Sequence, residues 1–337
     1  MNKPTRKPII AITIGDPAGI GPEIVLDSLT SKAVYDKCIP VVIGSIDLLR
    51  RCSGEVGIEG IILNPIDEPA QADGTVGRVD IIDVPVPGMD TLKPGVVQVA
   101  GGLASDAYIR RACDLARQGQ IDAISTAPIN KESLRAAGIE GIGHTEMLAK
   151  YLDAPNPLTL FVTENMRIFF LSRHLSLRKA IEYITIDRVY DMIGRVNSVM
   201  QKFGFPQPKI AVAALNPHSS DGGQFGDEEE NILIPAIRRS IEDGVDVMGP
   251  MGADSVFHQA LEGRYDCVIS LYHDQGHIAS KTRDFFRTVT ATLGLPVLRT
   301  SVDHGTGFDI AWQGKASSVS MEAAILATCD FLSRMQK

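Results

Sequence analysis

One pattern limits the folds open to this 337-residue chain more than any other. Apolar runs of strand length recur at 8–14, 40–43, 61–63, 79–84, 121–125, 158–163, 168–172, 209–215 and 266–271. Between them lie stretches with helical spacing of apolar residues: 23–29, 103–117, 187–203, 228–242 and 320–334. Strand, turn and helix in that order are the signature of parallel α/β units. A chain of this length exceeds one comfortable core, so the expectation is a two-lobed α/β/α protein with a cleft between its lobes.

The turns that follow the strands carry the chemistry. They read IGDPAG, STAPINK, LSRHLS, LNPHSSDGG and SLYHDQG. Ligands of open α/β sheets bind beyond the carboxyl ends of the strands, so these turns point to one site assembled from several loops. In GDPAGIGPE, Pro22 suits a first helical turn, where its missing N–H would be unpaired anyway. The glycines there are spaced GxxxGxG, which is not the GxGxxG of a dinucleotide fold.

Charge narrows the partners. Lys and Arg number 33 against 41 Asp and Glu, for a net charge of −8, and the basic residues are scattered. Nucleic acid and anionic membrane surfaces both need a concentrated basic face, so neither is an expected partner. No apolar run approaches the ~20 residues of a membrane span. The opening MNKPTRKPII lacks the apolar region of a secretory signal. Five cysteines form no CxxC pair, which reads as reduced thiols in a cytoplasmic protein.

His174, His218 and His273 each follow an apolar run and precede a turn. Three imidazoles at one sheet edge, with a coordination position left open, would make a catalytic divalent-metal site. The alternative for each is a hydrogen-bonded structural histidine. Asp254 and Asp274 are candidates to orient imidazoles or carry protons, or else simply cap the helices that follow. His144 and Thr145 read as a helix start with Thr145 as N-cap, where backbone N–H groups suit an anion. Lys281 and Arg299 add fixed positive charge for a phosphate or carboxylate, the alternative being solvated surface charge. The stretch from Tyr272 to Lys315 gathers three of the seven histidines, His273, His277 and His304. It also holds Asp303 and Asp309. So many titratable groups between apolar runs imply something bound to them, because buried charge is costly alone.

Taken together, GDPAGIGPE, TAPINKE, GHTE, LNPHSSDGG, GADSVF, YHDQGH and GLPVLRTSVDHGTGFDIA resemble, in this order, the 4-hydroxythreonine-4-phosphate dehydrogenase (PdxA) family, from about residue 8 to 325. The resemblance implies a homodimer of two-lobed subunits, similar in fold to isocitrate and isopropylmalate dehydrogenases, with active sites shared between subunits in the interlobe cleft. It implies a first lobe of 1–128 plus 284–337 carrying the cofactor loop, and a second of 129–283 carrying metal ligands and dimer contacts. The family's metal ligands match His174, His218 and His273, for Zn, Mg, Mn or Co. Its substrate-binding residues match His144, Thr145, Lys281 and Arg299. HGTGFDIAWQGKA resembles the cofactor loop of the wider superfamily, which places His304, Gly305, Thr306 and Asp309 at NAD.

Two departures point to a branch of that family. Thr290, in DFFRTVTATLGLP, stands where a substrate-contacting asparagine is expected, and Trp312 replaces the usual glycine beside the cofactor loop. These resemble the branch acting on D-threonate or D-erythronate 4-phosphate. The implied reaction is NAD- and metal-dependent oxidation with decarboxylation to dihydroxyacetone phosphate and CO2. Lys281, Asp254 and Asp274 are the candidates to take the hydroxyl proton. The alternatives are 4-hydroxy-L-threonine 4-phosphate dehydrogenation in pyridoxal phosphate biosynthesis and, third, phosphotransacetylase-like acyl transfer.

Overall fold

The computed structural model describes residues 6–140 and 143–335, and the chain divides into two compact units. The first five residues of MNKPTRKPII and the pair just before Gly143 lie outside the described residues. One unit comprises the described residues up to Pro157 together with Gly294–Leu332; the other comprises Leu158–Leu293 and the described residues after Leu332.

The first unit runs β1 (Ile9–Thr13), α1 (Gly21–Ser28), α2 (Lys32–Lys37), β2 (Ile39–Gly44), α3 (Ile46–Val56), β3 (Ile62–Ile66), β4 (Arg78–Asp83), α4 (Val99–Arg117), β5 (Ala123–Thr126), α5 (Lys131–Ala136) and α6 (His144–Tyr151). The second runs β6 (Leu158–Thr163), β7 (Met166–Phe170), α7 (Leu177–Tyr183), α8 (Ile186–Lys202), β8 (Ile210–Ala213), α9 (Ile234–Glu242), β9 (Val247–Met251), α10 (Val256–Leu261), β10 (Cys267–Ser270), α11 (His273–Arg283) and β11 (Val289–Leu293). The chain then returns to the first unit with β12 (Leu298–Val302) and α12 (Val319–Met335), whose last residues are counted with the second unit.

In the first unit the strand order is β3-β4-β2-β1-β5-β12, with every pairing parallel. Parallel strands are covered on both faces, which explains why β1 and β2 are apolar throughout rather than alternating. Strand order reverses between β1 and β5, so the crevice at that switch point receives the turns after both strands. In the second unit the order is β11-β6-β7-β10-β8-β9. There β11, β6 and β7 pair antiparallel, and β7, β10, β8 and β9 pair parallel. β6 and β7 are joined tightly at Glu164, which takes a left-handed φ of 53°.

The boundaries between the units fall at Pro157/Leu158 and Leu293/Gly294, whereas the expected ones were at 128/129 and 283/284. The difference has a physical cause at each place. α6 is fastened to α4 by the Tyr151–Asp106 hydrogen bond and by Arg110 lying 4.2 Å over the Tyr151 ring. β11 is held in the second unit by its ladder with β6, Val289 opposite Val162 through Leu293 opposite Leu158. His144 and Thr145 therefore belong to the same unit as residues 304–309.

Several local expectations hold, and others shift. α1 opens with Pro22 in its first turn. Thr145 is not the N-cap of α6; Gly143 is, and Thr145 sits inside the first turn. Neither Asp254 nor Asp274 is a cap: α10 is preceded by Ser255 and α11 by Tyr272. The segment 228–242 begins as one turn of π-helix, Glu229–Leu233, before continuing as α9. No helix among the described residues is long and apolar enough to cross a membrane.

Candidate active site

In the first unit three turns close on one another. The turn after β1 carries Gly15 at φ 70°, where an added Cβ would lie 2.1 Å from the carbonyl oxygen of Pro128. Asp16 N–H donates to that same oxygen at 3.0 Å. At Gly19 a Cβ would meet the Thr306 carbonyl oxygen at 2.7 Å, and the neighbouring Ile20 N–H donates to it at 2.9 Å. Asn130 caps α5 by accepting from the Glu132 and Ser133 N–H groups, and its Nδ2 reaches Thr306 Oγ1 at 3.4 Å. GDPAGIG, TAPIN and HGTG are thus one assembly, and the first two glycines are there because backbone needs the space of a side chain. The Asp16 carboxyl is buried within it, with one oxygen accepting from Ala18 N–H, and burial raises its pKa.

Arg299 on β12 is 3% exposed, and its Nε and Nη2 donate to Thr126 Oγ1 at 3.1 and 2.6 Å. Burial pulls the guanidinium pKa down to about 9, with Glu146 acting in the opposite direction, which leaves it charged at neutral pH. His144 lies close enough to feel that charge. Its pKa is held well below the usual value, by burial first and by Arg299 second, so the ring is neutral. Its Nε2 is buried and has no hydrogen-bond partner. A buried cation beside an unpartnered imidazole nitrogen is an arrangement that an anion would complete.

The remaining residues of the expected cofactor loop follow β12. His304 Nδ1 contacts the Gly305 carbonyl oxygen at 3.0 Å, Thr306 is buried, and Asp309 is exposed on a turn whose carbonyl accepts from Gln313 Nε2. Trp312 has a left-handed φ of 59°, a region that glycine enters without strain. Its ring is fixed by Nε1 donating to the Pro17 carbonyl at 3.2 Å and by Arg51 at 4.6 Å over its face. The buried Glu23 accepts from the N–H groups of Trp312 and Ala316, tying this loop to α1.

In the second unit β7, β10 and β8 are successive parallel neighbours, so His174, His218 and His273 leave the same edge of one sheet. His273 is the first residue of α11. Its Nδ1 pairs with Asp274 at 2.6 Å, and its ring stacks on His277 at 3.8 Å. His277 is a core residue, wedged between Phe161 and Phe170 with Nδ1 on the His273 carbonyl oxygen. The His174 and His273 ring centroids are 6.4 Å apart. Two imidazoles on one tetrahedral ion would place their centroids roughly 5 Å apart. His218 stands at φ 53° in an unusual left-handed run with Ser219, Ser220 and Asp221. Glu229, fully buried, steadies the entry to that run by accepting from Leu215 and Asn216 N–H at 2.8 and 2.7 Å. Among the described residues, no three His, Cys, Asp or Glu side chains of one chain are disposed to hold a metal ion.

The donor set nevertheless fits a divalent cation in kind. The carboxylate on His273 Nδ1 fixes the ring tautomer and leaves Nε2 as the outward donor, the arrangement metal-binding histidines adopt. Lys281, on α11, has its ammonium 5.2 Å from the Phe285 ring centre. Thr290 is buried in β11, and the exposed Asp254 folds back over Gly252.

Sequence reasoning assigned no role to three residues that the geometry brings forward. Thr126 receives Arg299, and Asn130 links two loops; both lie in TAPINKE but carry no charge to mark them. Gln275 accepts from Leu271 N–H at 2.8 Å and donates to the Ala214 carbonyl at 2.7 Å. It thereby ties the loop bearing His218 to the helix bearing His273, and nothing in its local sequence signals that reach.

The chain is similar over nearly its whole length to known proteins. A Clostridium botulinum protein named "Putative D-threonate 4-phosphate dehydrogenase" is 50% identical over 332 residues, covering 98% of this chain and 99% of that one. A protein of the same name from Symbiobacterium thermophilum is 50% identical over 95% of each chain. The solved structure of 4-hydroxythreonine-4-phosphate dehydrogenase from Klebsiella pneumoniae superposes with a TM-score of 0.90 at 41% identity, covering 96% of this chain and 99% of that one. The family model described as "Pyridoxal phosphate biosynthetic protein PdxA" matches residues 36–328. With most of the chain inside that match, and half of its residues identical to those relatives, this protein belongs to the PdxA family.

Proposed function

We propose that this PdxA-family protein oxidises and decarboxylates a 4-phosphorylated four-carbon hydroxy acid, D-threonate 4-phosphate or D-erythronate 4-phosphate, with NAD and a divalent metal, giving dihydroxyacetone phosphate and CO2. One observation carries the reading: the buried Arg299 guanidinium beside the unpartnered Nε2 of a neutral His144. A phosphate would accept from Arg299 and from His144 Nε2 together, and the names of the 50%-identical relatives agree with a phosphorylated hydroxy acid.

In this reading Arg299, oriented by Thr126, takes the substrate phosphate as a planar charged donor, with His144 donating from Nε2. Thr145 lies in the first turn of α6, where its N–H is among the helix's unpaired donors. His174, His218 and His273 hold the metal, the set being completed across two subunits of a homodimer. Apolar side chains left exposed at α7, Leu177 at 58% and Ile181 at 40%, agree with a subunit contact in this unit. Asp309 accepts from the adenosine ribose hydroxyls and disfavours a 2′-phosphate, while His304, Gly305 and Thr306 line the dinucleotide. When bound, the ion supplies Lewis acidity at the reacting oxygen and NAD accepts the hydride. Asp274 is already committed to His273, so the hydroxyl proton goes to Lys281 or Asp254. Loss of CO2 then follows from the β-keto acid that oxidation creates. Thr290 contributes a hydroxyl in place of an amide, which suits a substrate without an amino group.

The second reading, 4-hydroxy-L-threonine 4-phosphate, is favoured by the name of the 41%-identical structure. The test is NADH formation across D-threonate, D-erythronate and 4-hydroxy-L-threonine 4-phosphates, with Mg, Mn, Zn or Co added and CO2 measured. Turnover of a hydroxy acid with stoichiometric CO2 is expected. Preference for the amino acid would replace the first reading with the second, and oxidation without CO2 would remove the decarboxylation. NAD-independent acyl transfer to phosphate would overturn both.

A further inference from the structure

The registered pairs between β8 and β10 end at Val212 and Ile269, and beyond them a side chain joins the two segments. Gln275, in the first turn of α11, accepts from the Leu271 N–H at 2.8 Å and donates from Nε2 to the Ala214 carbonyl at 2.7 Å. The Leu271 N–H can only donate and the Ala214 carbonyl can only accept, so one orientation of the amide satisfies both. A primary amide offers the donor and the acceptor of a peptide unit, and Gln275 serves as an extra rung between the two segments. One of them leads to His218, four residues beyond Ala214, and the other to His273, two residues before Gln275. The third histidine is tied to the same turn. Leu171 N–H donates to the Ser270 carbonyl at 2.8 Å, and Ser172 Oγ donates to the Leu271 carbonyl at 3.0 Å, two residues short of His174. α11 also lies flush against β7: a Cβ added at Gly276 would meet the Phe170 ring at 2.7 Å.

We propose that Gln275 is a positioning residue: its amide fixes the loop bearing His218 against the turn bearing His273, so that the two imidazoles are set for a common divalent ion. The inference rests on the metal role proposed above for these histidines. His218 opens a run of four left-handed residues, 218–221, a backbone that persists only where its surroundings hold it. Glu229 steadies the entry to that run from the segment that follows it, a local fastening. Gln275 holds the same entry from the helix that begins with His273, so one loop cannot shift without straining the other. Both functions of the amide are needed. A glutamate at 275 would keep an acceptor for Leu271 but set a second acceptor against the Ala214 carbonyl, where no proton stands between them once the acid is ionised. A methionine would keep the length of the side chain and lose both bonds.

Two measurements on the full chain at mildly alkaline pH test this. Hydrogen exchange of the metal-free protein reads the two bonds separately. Gln275→Glu should speed exchange in the segment 214–221 and leave the Leu271 amide protected, whereas Gln275→Met should speed both. Titration with cobalt(II), followed by its visible d–d absorption, reads the consequence for the ion. Each variant should bind about 10- to 100-fold more weakly than the wild type, with an altered band because the imidazole set has moved. Exchange at 214–221 unchanged in both variants overturns the proposal, as do wild-type affinity and spectrum. Failure of the wild type to take up cobalt(II), or equal uptake by His218→Ala, removes the metal reading instead, and exchange then decides the role of Gln275 alone. Should Gln275→Met fail to fold, Gln275→Glu carries the test.

Discussion

Arg299 in the first unit is 3% exposed, whereas the His273 side chain in the second is 42% exposed, although both are assigned to the same reaction. The first unit encloses its charge. Its polar groups meet one another through Thr126, Asn130 and Thr306, and His144 Nε2 is left buried without a hydrogen-bond partner. The second unit sets His174, His218 and His273 beyond one sheet edge, His218 on a left-handed backbone run that costs energy to hold. Under the proposed reaction a substrate anion would repay the buried cation. Exposed imidazoles carry little desolvation cost and, under the same proposal, would wait for an ion and a second subunit.

Arg299→Met probes the contrast hardest. Removing a buried charge in favour of an apolar side chain of similar length is often neutral or stabilising, so thermal melting should hold or rise. Turnover of a 4-phosphorylated acid should nevertheless fall roughly a thousandfold, the cost of losing a buried charged donor. An equal loss on an unphosphorylated hydroxy acid would remove the phosphate role. In the second unit, Asp274→Asn should weaken divalent-metal affinity by about 10- to 100-fold in titration calorimetry, because His273 loses its orienting carboxylate. Unchanged affinity would mean that His273 is not a ligand.

Acid stability separates the units again. His144 is kept neutral in the folded chain, with its pKa below the ordinary 6.5, so the unfolded chain binds the extra proton first. Stability is then lost as pH falls below that ordinary value, by up to about 1.4 kcal/mol per pH unit while His144 stays neutral. His144→Asn should flatten this limb in pH-dependent denaturant titrations. An unchanged slope would place the acid lability elsewhere.

The residues of the site were legible in the sequence to different depths. Each of the three histidines follows an apolar run, so their common edge could be read from pattern alone. Strands β9, β11 and β12 could not, because VMGPM carries Gly and Pro, and VTATL and LRTSV put Thr, Ser and Arg into buried positions. The Arg299–Thr126 pair depends on the ladder between β12 and β5, which local sequence does not encode. A cap at Thr145 was expected from propensity, but Gly143 enters α6 in an extended conformation and takes the position. Glu229 was expected within an ordinary helix; it is there as part of a π-turn, with its carboxylate on the backbone of the His218 loop.

Because β7, β10 and β8 are immediate neighbours, the sheet behaves as a ruler whose divisions are about 4.8 Å. Each loop beyond its edge works like an extendable arm, lengthened by up to ~3.3 Å for every residue inserted. A descendant of this scaffold could therefore respace these three imidazoles by changing the length of one arm while every strand beneath kept its sequence.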